Sequence, residues 1–214
     1  LSLYEALEIT PPIFVTLPPI LGEAGTKKLG KRDGAKDVLE YRAEGYLPEA
    51  MVNFLSLLGW NPGGEQEIMT GAEICNLFSL ERIHKAGAMF NEEKLLWMNK
   101  EHMRLQSKEV QLDSVKKYLP EYPVTILEKL LPTIIDRISL YSEITTIEPS
   151  EFRFFIERPV VDPIKVVWKD AGIEDAKKHL SALIPLLGEA DFSSPDTIKS
   201  AIMPYAETEG KGNV

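Results

Sequence analysis

Apolar residues recur at helical spacing along most of the chain. Leu3, Ala6 and Leu7 share one face of a short helix, which Pro11-Pro12 ends. Ile13-Phe14-Val15-Thr16-Leu17 is β-branched and aromatic instead, which predicts a strand, and Pro18-Pro19-Ile20-Leu21-Gly22 prolongs it in extended form. Gly25, Gly30 and Gly34 then make residues 23–34 a loop. From Ala35 onward the pattern is helical. Asp37 to Glu44 stops at Gly45, a good C-terminal glycine. Pro48 opens a helix whose Ala50, Val52, Phe54, Leu55, Leu57 and Leu58 form an apolar stripe up to Gly59. Asn61 to Gly64 is a turn, and Thr70-Gly-Ala-Glu73 spells a capping box for a helix through Phe78. Asn91 caps a long amphipathic stretch from Glu92 to Gln106. Further helices are predicted at 110–118, 124–131, 133–141, 151–157, 163–171, 174–187 and 195–205. Pro132 marks a break, and Ser194-Pro195 is an N-cap followed by the first helical position. The expected class is therefore mainly α, with a short β segment near the N-terminus. A boundary is expected near residues 87–91, between a short mixed unit and an all-helical one.

Composition narrows the class without naming a chemistry. The 214 residues are 44% hydrophobic and 27% charged, ordinary globular values that exclude collagen, low-complexity disorder and disulfide miniproteins. One cysteine, Cys75, cannot form an internal disulfide. Three scattered histidines, His84, His102 and His179, offer no zinc spacing, so no metal site is expected. No run of 18 apolar residues occurs, which argues against membrane insertion. A reducing, cytoplasmic setting is the expectation. Because the chain starts at Leu1 and reads at once as helix, it is expected to be a fragment of a longer protein.

The net charge of −9 excludes a wholesale basic nucleic-acid binder, yet the charge is unevenly spread. Residues 27–36 carry Lys27, Lys28, Lys31, Arg32 and Lys36 against Asp33 alone. Residues 37–91 are acidic, and residues 92–118 hold six Lys/Arg against five acids. A polyanion would be held first at the glycine-flanked loop. Gly25 to Arg32 nearly spells a P-loop, but Arg32 stands where a Mg²⁺-binding hydroxyl belongs. Asp33-Gly34 also interrupts the helix a P-loop needs, so that reading is rejected. A different solution fits better. Lys28 and Lys31 flank a flexible Leu29-Gly30 pair, and Arg32 adds a bidentate donor. Such a loop can close over a nucleoside triphosphate and neutralise charge building on a pyrophosphate leaving group. On charge alone a solvated basic turn remains the simpler alternative.

Lys28-Leu29-Gly30-Lys31-Arg32 resembles the KMSKS signature of class I aminoacyl-tRNA synthetases, in the form common among glutamyl enzymes. Its context is similar too. Leu17 to Lys27 resembles the strand and turn leading into the signature. Tyr41 to Ala50, Asn53 to Trp60 and Phe90 to Asn99 resemble the stretches that follow it. The resemblance is strong over residues 13–106 and weaker beyond 150. It implies a bacterial-type glutamyl-tRNA synthetase lacking its HIGH-bearing Rossmann part. The implied division is 1–36 as the end of the catalytic domain, 37–90 as a helical stem-contact domain, and 91–214 as a truncated all-helical anticodon-binding domain. The implied activity is ligation of glutamate to tRNA(Glu) through a glutamyl-adenylate, with ATP and Mg²⁺ serving the full-length enzyme and the fragment alone inactive. By the same resemblance Lys28, Lys31 and Arg32 are catalytic, Lys28 to Arg32 bind ATP, and the backbone around Leu29 lies against adenine. Gly30 departs from the usual Ser, removing a hydroxyl and adding backbone freedom. A monomer is expected. The alternative is a stand-alone, non-catalytic RNA-binding module derived from this enzyme.

Other residues divide between core and contact. Tyr41, Tyr46, Phe54, Trp60 and Trp97 are expected in the core, as is Cys75. Lys100, Arg104 and Lys108 recur every four residues and would form one basic ridge if the helix continued. With Lys94, Asn99 and His102 they are the candidate tRNA contacts. Arg153 and Arg158 are open to two readings, anticodon contact or surface ion pairs with Glu151 or Glu157.

Overall fold

In a computed structural model the described residues are 1–22, 25–30, 35–167 and 171–209; of Pro163 and Ile164 only the backbone is described. They are mainly helical. The chain forms two compact units, Leu1–Ile156 and Glu157–Val214.

The first unit contains α1 (Ser2–Ala6), α2 (Val38–Glu44), α3 (Pro48–Gly59), α4 (Gly71–Leu77), α5 (Glu92–Leu105), α6 (Lys108–Tyr118), α7 (Val124–Arg137) and α8 (Ile144–Glu151). The expected caps operate. Asp37 accepts from the Leu39 amide, and Gly45 closes α2 in the left-handed region at φ 101°. Pro48 occupies the first turn of α3, and Thr70 with Glu73 forms a reciprocal capping box on α4. Asn91 accepts from the Lys94 amide, with Glu92 and Glu93 at the positive end of α5.

Two apolar cores organise most of this unit. Tyr41 of α2, Tyr46 of the following turn, and Met51 and Phe54 of α3 pack with Leu95 and Met98 of α5. Met103, Val115, Leu127, Ile134, Ile138 and Ile144 gather α5 to α8. A smaller group of Trp60, Met69 and Ile74 lies beside α3. The first of these cores joins residues from both sides of 87–91, because α5 packs against α2 and α3. The α3 stripe is also rotated from expectation. Ala50, Met51, Asn53 and Phe54 are buried, whereas Val52 and Leu55 face solvent.

Asn99 is the polar joint between the two large cores. Its Oδ1 accepts the Leu47 amide at 2.7 Å and its Nδ2 donates to the Ser139 carbonyl at 2.6 Å. The side chain is wholly buried. It satisfies the free amide at the start of α3 and a carbonyl just past α7, groups with no helical partner.

Several expectations fail for identifiable reasons. Residues 13–17 form no strand, and Ile13 is 79% and Phe14 65% exposed. A strand needs a hydrogen-bonded neighbour, and among the described residues none flanks this segment. The break at Pro132 is absent, since α7 continues to Arg137. Leu130, Leu131, Ile134 and Ile135 are all buried around the proline, and that burial outweighs a lost helical bond costing about 3 kcal/mol. Ser107 accepts from the Val110 amide and so starts α6 at Lys108, earlier than expected. The helix expected at 151–157 lies instead at Ile144–Glu151, followed by a 3₁₀ turn at Arg153–Phe155. Buried Phe152 and Glu148 anchor that turn, with the Tyr122 hydroxyl donating to Glu148 at 2.6 Å. Trp97 is 42% exposed and Cys75 is exposed, so neither joins the core.

The second unit contains a 3₁₀ turn at Pro163–Val166, within the stretch where a helix was expected at 163–171, followed by α9 (Ile173–Gly188) and α10 (Pro195–Glu209), close to the expected 174–187 and 195–205. Ser194 accepts from the Thr197 amide at 3.2 Å, the expected N-cap of α10. His179 and the Tyr205 hydroxyl, 2.9 Å apart, join the two helices.

Replacing Asn99 with Leu leaves a buried amide and a buried carbonyl without partners. Chemical denaturation of the first unit should show a loss on the order of 2–4 kcal/mol.

Candidate functional site

The cationic turn is built on the backbone of Leu21. Its amide donates to the Ala88 carbonyl at 2.9 Å and its carbonyl accepts the Phe90 amide at 2.8 Å. Leu21 also pairs antiparallel with Lys28 and parallel with Met89. Gly22 closes the turn by donating to Lys27, and Leu29 donates back to Ile20 at 2.8 Å. Gly25 sits at φ +67°, where a side chain would be strained, and a Cβ there would lie 2.8 Å from the Met89 sulfur. The result is a tight hairpin held on the segment that leads into α5.

Lys27 and Lys28 stand at its exposed tip and form no ion pair among the described residues. Leu29 and Gly30 are half-buried, with the Leu29 side chain over Gly22. Lys31 and Arg32, expected to be catalytic, lie outside the described residues. Beyond them the Ala35 amide donates to the Gly30 carbonyl at 3.2 Å.

The residues expected to face RNA do not form one surface. α5 ends at Leu105 and Gln106 turns extended, so Lys108 belongs to a different helix from Lys100 and Arg104. The anticipated ridge is broken there. Asn99 and His102 point inward and are buried. His102 Nε2 lies 3.0 Å from Asn53 Oδ1, which also accepts the Met69 amide at 2.8 Å. An amide oxygen only accepts, so the proton sits on Nε2. Burial holds the His102 pKa below its ordinary value, with Glu49 opposing weakly.

The remaining α5 cations are engaged by acids or carbonyls. Lys94 pairs with Glu67. Lys100 donates to the Asp136 carbonyl at 2.6 Å near the end of α7. Arg104 bridges Glu101 at 2.9 Å and Asp136 at 2.8 Å. Lys108, Lys116 and Lys117 of α6 are exposed and carry no ion pair among the described residues. Of the two arginines left open, Arg153 pairs with Glu148 at 2.7 Å and with Glu121 at 3.7 Å. Arg158 is exposed.

Sequence reasoning missed Lys36. Its ammonium reaches Glu44 at 2.9 Å and Glu92 at 2.5 Å, and lies 5.2 Å from the centre of the Tyr41 ring. Hydrogen bonds that the ammonium donates to Glu92 and then Glu44 raise its pKa well above the ordinary lysine range. Nothing in the sequence marks this contact, because Glu92 is 56 positions away.

The family "tRNA synthetases class I (E and Q), catalytic domain" matches residues 1–97. The glutamate–tRNA ligase 1 of Fervidobacterium nodosum is 42% identical over 98% of the chain, and that of Heliobacterium modesticaldum 34% over 99%. The crystal structure of the glutamate-tRNA synthetase of Elizabethkingia anophelis superposes with a TM-score of 0.70 at 31% identity, covering 99% of the chain. A glutamate tRNA ligase from Elizabethkingia meningosepticum, solved with its amino acid, gives 0.69. The chain belongs to the glutamyl-tRNA synthetase family. It spans less than half the length of these relatives, 43% to 45%.

The His102 environment sets a pH dependence. Its folded pKa is depressed, so the unfolded chain binds the proton more readily. Stability is intact above the unfolded pKa, about 6.5. It falls as pH drops below that value, by at most about 1.4 kcal/mol per unit, until the folded pKa is reached. Thermal melts between pH 8 and 5 should show this loss in the wild type, and His102→Leu should remove that component.

Proposed function

We propose that this chain is the C-terminal, tRNA-binding part of a glutamyl-tRNA synthetase, which joins glutamate to tRNA(Glu) with ATP through a glutamyl-adenylate. One coincidence carries the reading. The turn with its exposed Lys27 and Lys28, which carry no ion pair among the described residues, falls inside the stretch matching the catalytic-domain family. The likeness to glutamate–tRNA ligases then continues through the helices. A solvated basic turn would have no reason to keep that setting.

In this reading the hairpin presents Lys28, with Lys31 and Arg32 following, to the triphosphate of ATP. A glutamate carboxylate attacks the α-phosphate, and pyrophosphate departs. Lys31 stabilises the charge developing on the departing oxygens, and Lys28 holds the phosphates before and after. Leu29 and Gly30 give the adenine a flat backbone edge. The glutamate pocket and most of the adenine pocket belong to the rest of the protein, so the fragment alone carries out no ligation. Among the described residues no group of three or more His, Cys, Asp or Glu could hold a metal ion. No helix among the described residues is long and apolar enough to cross a membrane.

The helical body would serve the tRNA as two parts, with residues 37–90 facing the acceptor-side stem and residues from 91 onward facing the anticodon arm. An acidic chain can hold RNA only through local cations that are not already neutralised. That criterion favours Lys108, Lys116 and Lys117 of α6 over Lys94 and Arg104, whose acid partners would have to be displaced.

Two measurements test the reading. In the full-length protein Lys31→Ala should slow glutamate-dependent ATP–pyrophosphate exchange on the order of 100-fold or more. It should leave tRNA affinity nearly unchanged; an unaltered exchange rate removes the assigned role. Binding of tRNA(Glu) across a salt series should give a steep negative slope of log K against log salt. Replacing Lys108, Lys116 and Lys117 together with Ala should flatten that slope by about 2–3 units, and Arg104→Ala by less than about one. A slope near zero in the wild type contradicts phosphate contact altogether.

A further inference from the structure

Both ends of the cationic hairpin are fastened to one short stretch of chain. On the entering side, Leu21 hydrogen-bonds to Ala88 and Phe90 through its backbone. On the leaving side, the Lys36 ammonium reaches Glu92, two residues after Phe90 and the first residue of α5. The same ammonium reaches Glu44, the last residue of α2. It lies over Tyr41, whose ring contacts that of Phe90 at 6.0 Å. Residues 88–92 are thus gripped from two directions by segments separated only by the loop.

We propose that Lys36 is a positioning residue, a strap that fixes the leaving end of the loop on the start of α5 and so holds Lys28 and Gly30 at a set distance from the helical body. The inference rests on the reading of the hairpin as a phosphate-binding loop. Chemistry supports it in three ways. One ammonium has three protons, enough to serve two carboxylates at once. Glu92 sits at the positive end of α5, which favours its negative charge. The Tyr41 ring face is a second attractor for the same cation. The three side chains of the strap are 32% to 40% exposed. Ion pairs at such sites add little to overall stability, so the effect of the strap is local.

The reporters are the amides that close the loop, Leu29 onto Ile20 and Ala35 onto Gly30. Hydrogen exchange of the 214-residue chain should be measured for the wild type, Lys36→Met and Lys36→Arg. Lys36→Met should speed exchange at Ala35 about tenfold, with a smaller rise at Leu29. Leu95 and Met98 in the middle of α5 should stay within about twofold. Lys36→Arg, which keeps the charge and can span the two carboxylates, should restore Ala35 to near the wild-type rate. Unchanged exchange at Ala35 in Lys36→Met overturns the proposal. An equal rise at Leu95 and Met98 also overturns it, because the residue would then merely stabilise the whole unit. The phosphate reading is scored separately by Lys28→Ala in the full-length protein. Normal ATP–pyrophosphate exchange in that variant sinks the phosphate role while leaving the exchange result on Lys36 standing.

Discussion

The peptide groups of Leu21 decide where the loop can be. One residue donates to Ala88, accepts from Phe90 and pairs across the turn with Lys28. These are backbone contacts, so they specify position without regard to side chain. They set the hairpin beside the residues that begin α5. α5 in turn carries Leu95 and Met98 into one core and Met103 into the next. A cationic tip on an unanchored loop would sample many placements, and ordering it on a ligand would cost affinity. Anchored through Leu21, its position is largely set before a ligand arrives.

Charge pairing divides the basic residues into two groups. Where a cation meets a nearby acid or carbonyl, as at Lys36, Lys94, Lys100 and Arg104, its work is internal. Where it has no ion pair among the described residues, as at Lys27, Lys28, Lys108, Lys116 and Lys117, it remains available to a phosphate. On a chain with a net charge of −9 this local distinction matters more than the total. Asn99 and His102 belong to neither group. Asn99 pairs with backbone at Leu47 and Ser139, and His102 reaches Asn53, whose oxygen also takes the Met69 amide. Both hold helices together.

Much of this was legible in the sequence, because much of it is local. Caps at Asp37, Thr70, Asn91 and Ser194 depend on residues within a turn of one another, so spacing alone reveals them. The glycine-flanked lysines stood out for the same reason. What stayed hidden depends on distant partners. Pro132 looks like a break until the burial of Leu131 and Ile134 is known. Lys100, Arg104 and Lys108 look like a ridge until Gln106 turns extended. Residues 13–17 have the composition of a strand, but a strand is a property of a pair, and no partner appears among the described residues. Lys36 was invisible because Glu92 lies so far along the chain.

The central claim is that an anchored turn offers Lys28 to the phosphates of ATP while Lys36 and Lys94 are held by carboxylates. Competitive lysine acylation of the full-length protein, with and without ATP and glutamate, reads this directly by mass spectrometry. The account predicts that ATP lowers the reactivity of Lys28 several-fold or more. Lys36 and Lys94, already paired, should be slow to react in both states. Equal labelling of Lys28 with and without ATP would contradict it.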